Sequence, residues 1–193
     1  MVSVRYLFDQ LLREEWRMHA RLFGGWRFAA FPVFLAALAA GTATFFALAP
    51  DHPITEDLLD DDDAVHEFVH HEADPDGDEP NGVETDLTAR NPVTGEELPV
   101  FVADFVLSDV GTGALMGVPG HDDRDHAFAS KMGVPIEAVI APEPRGYDPD
   151  VSGVPDAPDV SETAFTDDGV LVNSGAYTGL RSDVARERIT ADT

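Results

Sequence analysis

Two carboxylates, Asp122 and Asp125, stand three residues apart just after a Pro119–Gly120 break, with His121 before them and Arg124 between them. Side chains at that spacing share one face of a helix. Polar groups gathered at a strand-to-helix junction form a rigid ledge on which a ligand site can be built. The same two residues also suit a helix start, Asp122 as N-cap and Asp125 as an acid in the first turn. Ahead of them, Gly111 and Gly113 bracket Thr112 in a tight turn, where backbone can approach a ligand closely. The chain has no cysteine, which excludes disulfides, zinc thiolates and thiol nucleophiles.

The elements that must position these groups follow from the flanking sequence. The apolar run 99–107 predicts a strand before the glycine turn, and 114–118 a second strand after it. A helix opens near Asp122 and stops at Gly133. Residues 134–140 read as a further strand, 141–160 as an exposed Pro- and Gly-rich loop, and 182–189 as a final capped helix, preceded by a short strand within 165–174. Upstream, residues 51–55 cap a short helix from about Glu56, and 74–81 form an acidic surface loop. His66 and His70 lie one helical turn apart and, with His71, invite a metal reading. Exposed histidines in an acidic helix need no metal, and none is assigned.

Charge and hydropathy narrow the setting. The 193 residues carry 37 acidic and 12 basic groups, a net charge of -25. Such a surface offers no basic patch for DNA. Its self-repulsion fades in molar salt, where the Debye length is about 3 Å, so the composition reads as adaptation to a salt-rich cytoplasm. Residues 4–23 contain neither Gly nor Pro and predict an amphipathic helix, with Arg13, Arg17 and Arg21 on one face. Residues 28–50 carry no charge, which is long enough to span a bilayer. The arginines ahead of that run place the N-terminus inside and the acidic remainder outside. These features imply a membrane-associated chain anchored through 28–50. The alternative is a cytoplasmic protein in which the run is a buried helix followed by a core strand. The organisation expected is a leader over 1–40 and a second domain over 41–190.

The central stretch GTGALMGVPGHDDRD resembles the glycine turn and HD-x-RD signature of the editing domain of leucyl-tRNA synthetase, which hydrolyses mischarged aminoacyl-tRNA. NPVTGEELPVFVADFVL looks like that family's NPLTGE…IPVWVADYVL segment, AFASKMGVPI like its FAKKYGLPI, GVLVNSGAYTGL like its far end, and FFALAPDHP like its strand ending in APEHP. The resemblance runs from about Thr44 to Ile189. It implies an α+β fold, a fragment of the class I synthetase editing domain with a β-barrel-like core and flanking helices, preceded by one or two helices. It further implies that Asp125 holds the ammonium of the wrongly attached amino acid and that Asp122 supports it. Gly111, Thr112, Gly113, His121, Arg124 and Thr44 are then substrate-binding, and the partner is the aminoacyl-tRNA 3′ end. No cofactor is implied.

The sequence also departs from that family. Where the family carries a threonine-rich, TTRPDT-like loop, residues 31–40 read FPVFLAALAA, and Val110 stands where a tyrosine is usual. The chain has neither the HIGH-like nor the KMSKS-like signature of the synthetic domain, so by family logic it does not activate leucine. Three functions are therefore expected to compete: an editing fragment inactive on its own, an active trans-editing hydrolase for leucine tRNA, and a non-enzymatic membrane-anchored acidic module.

Overall fold

A computed structural model describes residues 43–192, apart from 76, 92–94, 110 and 111. These residues fall into two compact units, one from Phe45 to Gly117 and one from Val118 onward, with Thr44 grouped with the second.

The first unit is built on strand β1, Phe45–Leu48. All four of its side chains are buried, so it reads as unbroken apolar sequence rather than as an alternation. Strands β2 (Gly82–Arg90), β3 (Glu97–Ala103) and β4 (Ala114–Gly117) complete a sheet of order β2-β3-β1-β4. β1 runs parallel to β3, with Phe46 beside Val100, and antiparallel to β4, with Phe45 beside Gly117. The glycine is needed there, because the Phe45 ring fills the space a Cβ at 117 would occupy. That ring also stands edge-on to Phe101, with centroids 5.9 Å apart. β2 pairs antiparallel with β3 and slips register between Glu84 and Thr88. Thr85 serves this irregularity: its hydroxyl donates to the Val100 carbonyl at 2.8 Å and accepts from Leu87 N–H at 3.1 Å.

Two short helices follow β1. Helix α1 is Pro53–Leu58 and helix α2 is Asp63–Glu67, which continues into a wider π-type turn, Phe68–Glu72. Asp62 caps α2 by accepting from Ala64 and Val65 N–H. Val65 and Phe68 pack with Val102 in one buried cluster, which ties this helical pair to the sheet. Buried Asp104 accepts from Asn81 N–H at 2.8 Å and Asp74 N–H at 3.3 Å, and so closes the acidic loop back on the end of β3.

The second unit contains helix α3 (Asp123–Met132), a two-residue ladder of β5 (Ile140–Ala141) with β6 (Val170–Leu171), and helix α4 (Ser182–Asp192). Gly133, at φ 72°, ends α3 in the left-handed region that suits glycine. The core gathers Val118, Val139, Ile140, Leu171 and Ala185, with Phe165, Tyr177 and Leu180 packed against it. The expected exposed loop 141–160 is partly anchored. Tyr147 and Val160 are buried, and the Tyr147 hydroxyl donates to the Gly179 carbonyl at 2.8 Å.

Several expectations need correction. The barrel-like core is absent among the described residues: the four-stranded sheet is open, with β2 and β4 as its edges, and the other sheet has two strands. The fold is α+β with a mixed sheet and flanking helices. The membrane span over 28–50, with the membrane association and partner drawn from it, is overturned. The end of that run is β1, buried between two neighbours in a sheet, and Pro50–Asp51 turn away after it. No helix among the described residues is long and apolar enough to cross a membrane. The strand expected over 134–140 shrinks to Ile140–Ala141. The amphipathic helix over 4–23, and residues 1–40 as a whole, lie outside the described residues.

Candidate functional site: a buried aspartate and a glycine turn

In the second unit, Asp122 sits at the N-cap of α3 with extended backbone, and its Oδ1 accepts from Arg124 N–H at 2.9 Å and Asp125 N–H at 3.0 Å. Three residues on, Asp125 points inward and is only 4% exposed. Its Oδ2 accepts from Val118 N–H at 2.7 Å, while Oδ1 accepts from no group among the described residues. Burial, reinforced by the Asp122 carboxylate, pushes the Asp125 carboxyl up to about 7, against the Val118 hydrogen bond and the Arg124 guanidinium. An opposite charge brought beside a buried acid in this state would favour its ionised form. Arg124 itself is exposed.

His121 is buried and fully engaged. Its Nε2 accepts from Val139 N–H at 2.8 Å and Ile140 N–H at 3.2 Å, which leaves Nδ1 to donate to the Phe165 carbonyl at 2.8 Å. Burial holds this imidazole below its ordinary value, with the Phe165 bond opposing. Both nitrogens thus secure backbone. His126 is likewise tied, its Nε2 2.8 Å from the Val160 carbonyl. Thr44 keeps a buried Oγ1 with no partner among the described residues.

In the first unit, Thr112 and Gly113 form the described part of the glycine turn; Gly111 lies outside it. Gly113 has φ 71°, and a Cβ there would stand 3.2 Å from Ser108 Cα and 3.4 Å from His52 Cδ2. Its carbonyl accepts from Ala49 N–H at 2.8 Å, which pins the turn to the end of β1. Thr112 Oγ1 is buried with no partner among the described residues. His52 is a polar group that residue types and spacing did not single out. It caps α1, with Nδ1 accepting from Ile54 N–H at 3.1 Å. The available signal was Pro53 at the first helical position, which marks the preceding residue as the cap. His66 and His70 meet edge-on with centroids 4.5 Å apart, yet no group of three or more His, Asp or Glu is placed to hold a metal among the described residues.

The described residues form an α+β fold that carries a buried acid in the first turn of a helix. Comparison with known proteins makes this specific. The family profile "Leucyl-tRNA synthetase, editing domain" matches residues 33–193. A leucine–tRNA ligase of Halobacterium salinarum is 61% identical over 150 residues, covering 78% of this chain and 16% of that protein. One from Syntrophobacter fumaroxidans is 44% identical over 160 residues, covering 78% and 18%. The chain belongs to the leucyl-tRNA synthetase editing-domain family. It spans less than a fifth of the length of these relatives. A crystal structure of a LeuRS–tRNA–LeuAMS ternary complex from Agrobacterium radiobacter overlaps it with a TM-score of 0.46 and 25% identity, over 72% of this chain and 20% of that one. The family match, starting at residue 33, takes in most of the apolar run 28–50.

Proposed function

We propose that this chain is an editing module that hydrolyses the ester of a noncognate amino acid on leucine tRNA. The observation that carries this reading is the Asp125 carboxylate, buried, held through one oxygen and open at the other. The substrate's ammonium pairs with Oδ1, Asp125 releases its proton to solvent on pairing, and the amino acid is thereby fixed while water attacks the ester carbonyl and the ribose oxygen leaves as the terminal hydroxyl of the tRNA. No covalent intermediate is required. Asp122 supports Asp125 by capping the helix that carries it, and its charge favours arrival of a cation. Thr112, Gly111, Gly113 and Thr44 are the substrate-binding positions that the family resemblance implies. Arg124 is a peripheral contact, and His121 holds the loop that bears the acids. In this reading residues 41–190 are the editing unit.

The test is deacylation of mischarged leucine tRNA in molar salt. Hydrolysis above background that Asp125→Ala abolishes is expected; wild-type protein no faster than buffer overturns the reading. A second reading, an editing fragment that binds the ester without cleaving it, is favoured by FPVFLAALAA at 31–40 in place of the family's threonine-rich loop. Loss of a single preorganised donor costs about 3 kcal/mol of transition-state stabilisation. Binding of a non-hydrolysable aminoacyl-adenosine without turnover identifies that case.

A further inference from the structure

We propose that His52 is a ligand-binding donor, its Nε2–H meeting an uncharged acceptor, a purine ring nitrogen or ribose hydroxyl, of a nucleoside seated on the glycine turn. This rests on the editing reading and adds to it a binding residue that sequence comparison of site motifs does not name.

His52 is 2% exposed and stands against the turn, its Cδ2 3.4 Å from the position of a Gly113 Cβ. Nδ1 is committed as acceptor to Ile54 N–H, so the ring proton sits on Nε2. Nε2 is buried and has no partner among the described residues. A buried donor left unmade is costly, and native folds keep few of them. A second orphan, Thr112 Oγ1, belongs to the residue next to Gly113, so two unused polar atoms flank the same glycine. Glycine is required between them, since its φ is 71° and a side chain at 113 would press on His52 and Ser108. Charge selects the ligand class. Asp51 precedes His52 and accepts from the Ser108 hydroxyl at 2.8 Å, so a carboxylate borders the turn. At that short range the carboxylate disfavours an anionic group and favours a neutral polar edge. Burial keeps the imidazole below its ordinary value despite Asp51, so it is a neutral single donor rather than a cation.

Two substitutions separate this role from the helix cap. His52→Asn keeps an acceptor at the Nδ1 position and is a good N-cap, but withdraws the Nε2 donor. His52→Gln extends an amide N–H toward the Nε2 position. The probe is a non-hydrolysable 3′-aminoacylamido-adenosine, titrated in molar KCl against the full chain, with the His52 ring ¹⁵N shifts of the wild type followed in parallel. The expected result is about five- to tenfold weaker binding for His52→Asn, recovery in His52→Gln, and a wild-type Nε2 shift on saturation. Equal affinity of wild type and His52→Asn with no Nε2 shift overturns the inference, assigns the orphan to an ordered water, and leaves the editing reading standing. Absence of binding by every protein removes the editing reading and this inference together. Should His52→Asn fail to fold, the wild-type Nε2 shift decides alone.

Discussion

Replacing Asp125 by asparagine tests the buried acid through stability as well as activity. The carboxyl is raised from 3.8 to about 7, and the group is almost wholly buried, so solvent screening takes little from the effect. A folded-state value above the unfolded one adds stability that is complete below 3.8 and gone above about 7. At 1.36 kcal/mol per pH unit, the ionised carboxylate costs the folded protein roughly 4 kcal/mol at pH 8 relative to its protonated form. In Asp125→Asn the new side chain keeps an oxygen for Val118 N–H and removes the charge. Its amide N–H groups replace an oxygen that has no partner among the described residues, which takes back about 1–3 kcal/mol. Asp125→Asn is therefore expected to be more stable than wild type by roughly 1–3 kcal/mol at pH 8, measured by denaturant unfolding in molar KCl. Between pH 8 and 5.5 the wild type regains about 2 kcal/mol from this group and the variant does not, so the advantage shrinks or vanishes. Titrating groups not coupled to Asp125, as Asp122 is, cancel in the difference. A stability difference that is flat across this pH range, or a variant less stable at pH 8 than at 5.5 relative to wild type, refutes the buried-charge account. The same variant is expected to lose deacylation, which would place function and stability in opposition at one residue.

Three further outcomes are expected. His121 and His52 are both held below their ordinary value by burial, so their contribution is present above about pH 6.5 and lost as pH falls; His121→Ala should lower stability by roughly 2–4 kcal/mol at pH 8 and flatten the acid limb of the profile. Asp122→Ala removes the α3 cap and should cost about 1 kcal/mol in unfolding, while the Asp125 carboxyl, titrated by ¹³C NMR, moves down because a neighbouring negative charge is gone. Gly117→Ala drives a methyl into the Phe45 ring and should cost about 1–3 kcal/mol, with Gly117→Ala/Phe45→Leu recovering part of it in thermal melts.

What could be read in advance was local. Asp122, Gly133 and the acidic first turn of α3 are signals within a few residues of the features they set, and the helix falls between them. The family resemblance rested on that stretch and on four further segments between Thr44 and Ile189. The apolar run ending in Phe45–Leu48 misled, because a strand buried on both faces has no alternation and periodicity cannot separate it from a membrane segment. Whether a sheet closes is set by the partners of its edge strands, and no local pattern in β2 or β4 specifies that. The Asp125 environment depends on Val118 N–H and on burial; the sequence indicated the acid but not that it would be held near neutrality. His52 was passed over because a lone histidine before proline carries no signature of an unused ring nitrogen.

β1 also bears on synthesis. It leaves the ribosome before either of its sheet neighbours, and its parallel partner β3 follows only after both short helices and β2. During that interval four wholly apolar residues have nowhere to pair, and pairing across so long a stretch of chain is slow. Nascent chains stalled between β2 and β3 should be the ones that recruit chaperones or aggregate, and release of β4 should end that vulnerability by closing the second flank of the strand.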